Sequence, residues 1–196
     1  MKQSILVNSL QAHCAKQLSG RHVLAINDTS EVNLQAHAGR LKPAGQGVVG
    51  NNKEVGFFFH PTLMVAAQRG LPLGLSNLQL WTREKSRPSK AQRNYKQLPI
   101  EAKESYKWIA AAQGSAQSLA HSEVAQVTYI GDREADIYES WFNIPNENVH
   151  LLVRVCKNRL LAGCARKLYE TLASQPIAGI EKVEIPADAR LKRTAR

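Results

Sequence analysis

Apolar and polar positions alternate along this chain in ways that separate helices from strands. Ile5, Leu6, Leu10 and Leu18 recur at roughly helical spacing, and Gly20 closes the run, which predicts a helix over residues 1–19. "RHVLAIND" (21–28) is a short apolar strand ending in polar residues. The Gly-rich, polar stretch from Thr29 to Asn52 predicts a long loop with room for one short strand. Residues 55–68 and 71–82 form two apolar runs separated by Arg69-Gly70, the pattern of a hairpin, with Pro61 and Ser76-Asn77 expected to kink or bulge it. Pro99, acids in the first turn and many alanines predict a helix over 100–120, with Trp108, Ile109 and Ala112 on its buried face. A strand over 123–131, a helix over "DREADIYESWF", a strand over 150–155, a helix over 164–173 and a strand at "EKVEIP" (181–186) complete the reading. Hairpin first and alternating elements afterwards imply an α/β fold with a mixed sheet flanked by helices.

Composition narrows the class. Of 196 residues, 43% are hydrophobic, which suits a folded domain and excludes a disordered chain. Apolar runs fall short of the roughly 20 residues of a membrane helix, and no signal-peptide pattern opens the chain. No membrane partner is therefore expected, and a cytoplasmic protein is. Cys14, Cys156 and Cys164 have no zinc-type spacing and are expected to be reduced and mostly buried. The histidines are scattered without a paired spacing. Net charge is +10, and residues 81–96 carry Arg83, Lys85, Arg87, Lys90, Arg93 and Lys96 against Glu84 alone. Such an excess favours a polyanion, most often nucleic acid.

Against that background, "YIGDREADIYES" (129–140) crowds Asp132, Glu134 and Asp136 behind a strand. Asp132 reads as an N-cap, with the following acids complementing the helix dipole. A helix N-terminus repels cations, so a metal there needs a second carboxylate, and Asp28 at the end of the first strand is the candidate. Asp28 also reads as a turn former with Thr29 and Ser30. An α/β sheet binds ligands at the carboxyl ends of its strands. Two aspartates there would hold Mg²⁺ or Mn²⁺, hard ions that take oxygen ligands and bridge to phosphates. Capping and metal binding both stand on spacing alone.

"YIGDREADIYE" resembles the second-aspartate motif of the DDE transposases of bacterial cut-and-paste insertion sequences, the insertion-sequence-four type in particular. "LAINDTSEV" resembles that family's first-aspartate strand, and "FFFHPTLMV", "GLSNLQLWTRE" and "KESYKWIAAA" resemble its next strands and helix, in the same order. The likeness covers roughly residues 20–190. It implies an RNase H-like core over 20–150, with residues 1–19 a helix or the remnant of an end-binding region. Residues 151–196 would supply the last core strand and the start of a β-rich insertion. It also implies that Asp28 and Asp132 are catalytic metal ligands which, with a later Glu, hold two ions. One ion would activate water or a DNA 3′-hydroxyl, and the other would stabilise the leaving oxygen.

The family's third acid lies in a Tyr-x-x-Arg-x-x-x-Glu-x-x-x-x-x-x-Lys pattern that this sequence lacks: no Arg follows Tyr106, Tyr138 or Tyr169 by three residues. The expectation is a truncated transposase core with two of three acids, impaired in cleavage by itself. Glu170, Glu181 and Glu184 are expected at the surface rather than as substitutes. Arg83, Lys85, Arg87, Lys103, Lys107 and Arg133 are the candidate contacts to double-stranded DNA, at transposon ends and target. Trp81, Trp108 and Trp141 are expected in the core and Thr29 in a turn. A homodimer or a complex with full-length transposase, near the bacterial nucleoid, follows from the likeness. Two other functions compete: a non-catalytic DNA-binding or inhibitory partner of an intact transposase, and a nuclease with a replacement acid.

Overall fold

The computed structural model describes residues 3–40, 47–50, 53–84, 94–95, 97–182, 184 and 187. Residues 1–156 form one compact unit and residues 157–196 a second. In the first, helix α1 (Gln3–Ala15) precedes strands β1 (His22–Asn27), β2 (Ser30–Asn33), β3 (Gly47–Val49), β4 (Glu54–Ala66) and β5 (Pro72–Trp81). Helix α2 (Lys107–Ser118), strand β6 (Gln126–Gly131), helix α3 (Tyr138–Asn143) and strand β7 (Val149–Val153) follow. The described strands make one mixed sheet. β4 runs antiparallel to β1, β2, β3 and β5, while β6 runs parallel to both β1 and β7.

β1 and β2 are one line of chain with a gap. Asn27 faces Thr62 and Ser30 faces Phe59, so the register continues unbroken across Asp28-Thr29, opposite Pro61-His60. Pro61 has no N–H to donate, which fits the break in the ladder at this place. Asp28 thus sits in a notch of a long ribbon rather than at a free strand end. The predicted hairpin is present: Gly70, at φ 65°, closes it with its N–H on the Ala66 carbonyl at 2.8 Å. The predicted irregularity near Ser76 is a bulge, because Asn77 faces Thr62 while Leu75 already faces Leu63. Extruded and fully buried, Ser76 bonds Ser115 of α2, Oγ to Oγ at 2.9 Å.

The core lies on one face of the sheet. Cys14 and Leu18 from the α1 end, Val23 and Ala25 of β1, Met64 of β4, Ala112 of α2, and Val127 and Tyr129 of β6 pack together there. Period-two alternation places Ile26 and Leu152 in the opposite phase, and both are exposed. Trp108, Ile109 and Ala112 are buried as their helical spacing predicts. The helix predicted from residue 100 begins only at Lys107, after short 3-10 turns at Ile100–Ala102 and Glu104–Tyr106.

The "DREADIYESWF" helix is interrupted. Arg133–Ala135 is a 3-10 turn, and Ile137 is extended (φ −116°, ψ 145°) before α3 starts. The cause is Asp136: 2% exposed, it accepts the Cys156 main-chain N–H at 2.7 Å and Trp141 Nε1–H at 3.2 Å. Its carboxylate ties two segments together instead of facing solvent beside a helix dipole. Trp141 is correspondingly 39% exposed rather than a core residue. Cys14 is buried, but Cys156 and Cys164 are exposed, against the expectation that most of the thiols would be inside; all three are free.

In the second unit, α4 (Leu168–Ala173) is shorter than the predicted 164–173 helix. Its start is fixed by Glu170, which accepts the Lys167 N–H at 3.2 Å, and by Asn158, which accepts the Tyr169 N–H at 2.9 Å. Glu181 and Lys182 lie outside any strand, while Val183, Ile185 and Pro186 of the predicted last strand lie outside the described residues.

Candidate metal centre

Asp28 and Asp132 follow neighbouring parallel strands. β1 and β6 pair in register up to Ile26 opposite Ile130. Asp28 and Asp132 each stand two residues beyond that last pair. Both side chains line one cleft of about 350 Å³, shared with Thr29, Ser30, Glu31, Phe58, Arg83, Glu104, Lys107 and Glu134. Each aspartate is oriented by a main-chain N–H: Thr29 donates to Asp28 Oδ1 at 2.7 Å and Glu134 to Asp132 Oδ1 at 2.8 Å. The cap expected at Asp132 is therefore real, and it orients the carboxylate at the cleft.

Charge in the cleft runs opposite to charge in the chain. Asp28, Glu31, Glu104, Asp132 and Glu134 outnumber Arg83 and Lys107, although the protein as a whole carries +10. Both cations are held by carboxylates. Arg83 bonds Glu104 through Nη2 at 2.5 Å and Nε at 2.9 Å, and lies 4.3 Å over the Phe58 ring. Lys107 bonds Glu134 at 2.9 Å and lies 5.5 Å over the Trp108 ring. An excess of carboxylates favours a cation over an anion in such a place.

The donor chemistry fits a hard ion held open to solvent. Two carboxylates on adjacent turns suffice for Mg²⁺ or Mn²⁺, which keep several waters and bind through one or two carboxylates plus substrate oxygens. Among the described residues no group of three or more His, Cys, Asp or Glu stands close enough to enclose a metal. A site of this kind is a two-acid platform, not a closed cage.

Beneath the cleft lies a buried polar layer that the strand pattern did not single out. His60, fully buried on β4, shares a 2.9 Å hydrogen bond between Nδ1 and the Thr29 hydroxyl and meets Trp108 edge-on at 4.7 Å. Burial, reinforced by the Lys107 ammonium, pulls the His60 imidazole down to about 4, while the Asp28 main chain and Glu134 oppose the fall. His60 is thus neutral near pH 7. Trp108 also closes the other side: a Cβ on Gly131, the residue before Asp132, would lie 3.3 Å from its ring and 2.4 Å from Ala135 Cβ. Only glycine fits between β6 and the turn that presents Asp132.

The predicted nucleic-acid residues are dispersed. Arg83 and Lys107 are in the cleft. Lys103 lies next door, its Nζ 5.9 Å over the Tyr95 ring, lining a groove with Trp81, Thr82 and Glu101. Arg133 is exposed in the turn after Asp132 and does not line the cleft. Lys85 and Arg87 lie outside the described residues. Thr29, expected only in a turn, is the residue that joins Asp28 to His60. Glu170, Glu181 and Glu184 are exposed as expected. No helix among the described residues is long and apolar enough to cross a membrane. No protein-family model and no curated protein matches the chain.

Proposed function

We propose that this chain is a DDE-type transposase core with an RNase H-like sheet, in which Asp28 and Asp132 hold Mg²⁺ or Mn²⁺ against the backbone of double-stranded DNA. The observation that carries the reading is the acidic cleft at the ends of adjacent parallel strands, inside a strongly basic protein. The likeness to the insertion-sequence-four type puts the first aspartate on the first strand and the second just past the fourth. Asp28 directly follows β1 and Asp132 directly follows β6, the fourth strand once the short β2 and β3 are set aside, and this order supports the reading. Bound there, the ion would supply Lewis acidity to a phosphodiester oxygen and lower the pKa of a bound water. The chain's own groups do the rest: the Thr29 and Glu134 N–H groups orient the carboxylates, Lys103 and Arg133 offer charge to phosphates, and Arg83 and Lys107 would do so on exchanging Glu104 and Glu134 for a phosphate. With two acids of the family's three, the chain binds DNA but does not cut it by itself.

Duplex binding followed by fluorescence anisotropy across salt concentrations tests this, alongside a nicking assay in Mn²⁺. The affinity is expected to fall linearly on a log–log plot, by about 0.9 per phosphate neutralised, with no nicking. Salt-independent or absent binding contradicts the reading. Nicking that Asp28→Asn abolishes would replace the inactive core with a nuclease carrying a third acid of its own.

A further inference from the structure

Two side chains from different elements meet directly under the two aspartate-bearing turns. His60 of β4 reaches the first turn through the Thr29 hydroxyl, at 2.9 Å. Trp108 of α2 meets the His60 ring at 4.7 Å, near perpendicular (87°), and fills the space below Gly131, which leads into Asp132. His60 is fully buried and Trp108 3% exposed. Pro61 leaves the ladder broken opposite Asp28, so main-chain pairing does not itself fix the notch. A side-chain bond takes over that task. The Thr29 N–H in turn holds the Asp28 carboxylate, so the chain of contacts runs His60, Thr29 hydroxyl, Thr29 N–H, Asp28 Oδ1.

We infer that His60, acting through the Thr29 hydroxyl and braced by Trp108, is a positioning residue that sets the separation of Asp28 and Asp132 for a divalent cation. This rests on the metal reading proposed above and names what keeps the metal site in shape. His60 touches neither metal nor substrate. Groups that orient metal ligands from behind matter by about 10–100-fold in affinity. The imidazole is well suited to the place: it is rigid, fills a buried space and bonds the hydroxyl.

Mn²⁺ titration, followed by the electron paramagnetic resonance of free Mn²⁺, tests this on the full chain. The set is wild type, Asp28→Asn, Thr29→Val, Thr29→Ser, His60→Phe and the Thr29→Val/His60→Phe double variant, each checked for a cooperative melt. Thr29→Val and His60→Phe are each expected to weaken Mn²⁺ binding about tenfold, with the double variant no weaker than either, because both cut the same bond. Thr29→Ser, which keeps the hydroxyl, should stay within about twofold of wild type. If His60→Phe does not fold, the Val and Ser variants at Thr29 decide the matter. Wild-type affinity in folded Thr29→Val, or a loss in Thr29→Ser equal to that in Thr29→Val, overturns the inference. So does a double variant weakened by the product of the single effects. If Asp28→Asn loses Mn²⁺ while Thr29→Val does not, the inference alone fails. If wild type itself binds no Mn²⁺, the metal reading falls and the inference with it.

Discussion

Gly131→Ala is a one-methyl perturbation whose consequence follows from two distances. The new Cβ would sit 2.4 Å from Ala135 Cβ and 3.3 Å from the Trp108 ring. Two carbons at van der Waals contact stand about 3.5–4.0 Å apart, so the turn must move by more than 1 Å. Gly131 is not among the glycines with left-handed backbone. Elsewhere in a strand the same change would stabilise by about 0.5–1 kcal/mol, because it stiffens the unfolded chain. Here overpacking of about 1–3 kcal/mol opposes it, and a net loss of about 1–2 kcal/mol is expected. That corresponds to roughly 2–8 °C in Tm at this chain length. Thermal and urea melts of Gly131→Ala, Ala135→Gly and the double variant measure it. Removing the Ala135 methyl relieves the worst contact, so the double variant should be more stable than the sum of the single effects by about 1 kcal/mol. A Gly131→Ala protein as stable as wild type, or single costs that simply add, would refute the claim that Ala135 and Trp108 clamp the turn before Asp132.

Two other consequences can be measured on purified protein. His60 is held neutral down to about 4 in the fold but takes a proton near 6.5 in the unfolded chain. Stability is therefore unaffected by this group above pH 6.5, falls as pH drops from 6.5 to about 4, and loses about 3 kcal/mol in all at 1.36 kcal/mol per pH unit. His60→Phe should remove that part of the slope in urea melts across the range, and an unchanged slope contradicts a buried neutral imidazole. Asp136→Ala strips the acceptor from the Cys156 N–H and from Trp141 Nε1. It should cost about 1–3 kcal/mol, with a red shift of tryptophan fluorescence as Trp141 loosens; a change below about 0.5 kcal/mol would refute the tie.

Apolar runs closed by Gly and polar residues were enough to place the hairpin and the strands that lead into Asp28 and Asp132, because a buried strand must be apolar and its turn must not be. Their places at the polar ends of two strands pointed to the two aspartates, the likeness of "LAINDTSEV" and "YIGDREADIYE" agreed, and the parallel strands β1 and β6 bring them to one cleft. What was hidden is non-local. His60 sits in the apolar run "FFFHPT", yet no local rule says that its partner is Thr29, 31 residues earlier. The 132–142 run is not one helix because Asp136 is captured by Cys156, 20 residues on, and a tertiary bond of that kind overrides helix propensity. Trp141 followed Asp136 to the surface. The acidic character of the cleft is masked in a sequence of net charge +10, because its five acids come from separate stretches of the chain.

Divalent-ion binding to wild type, Asp28→Asn and Asp132→Asn tests the central claim most directly. One Mn²⁺ per chain is expected for wild type by titration calorimetry in metal-free buffer. Each asparagine variant should weaken it by about tenfold or more, or about 1.4 kcal/mol, while keeping a cooperative melt. Wild type that takes up no Mn²⁺, or folded variants that bind it as tightly as wild type does, would contradict the account.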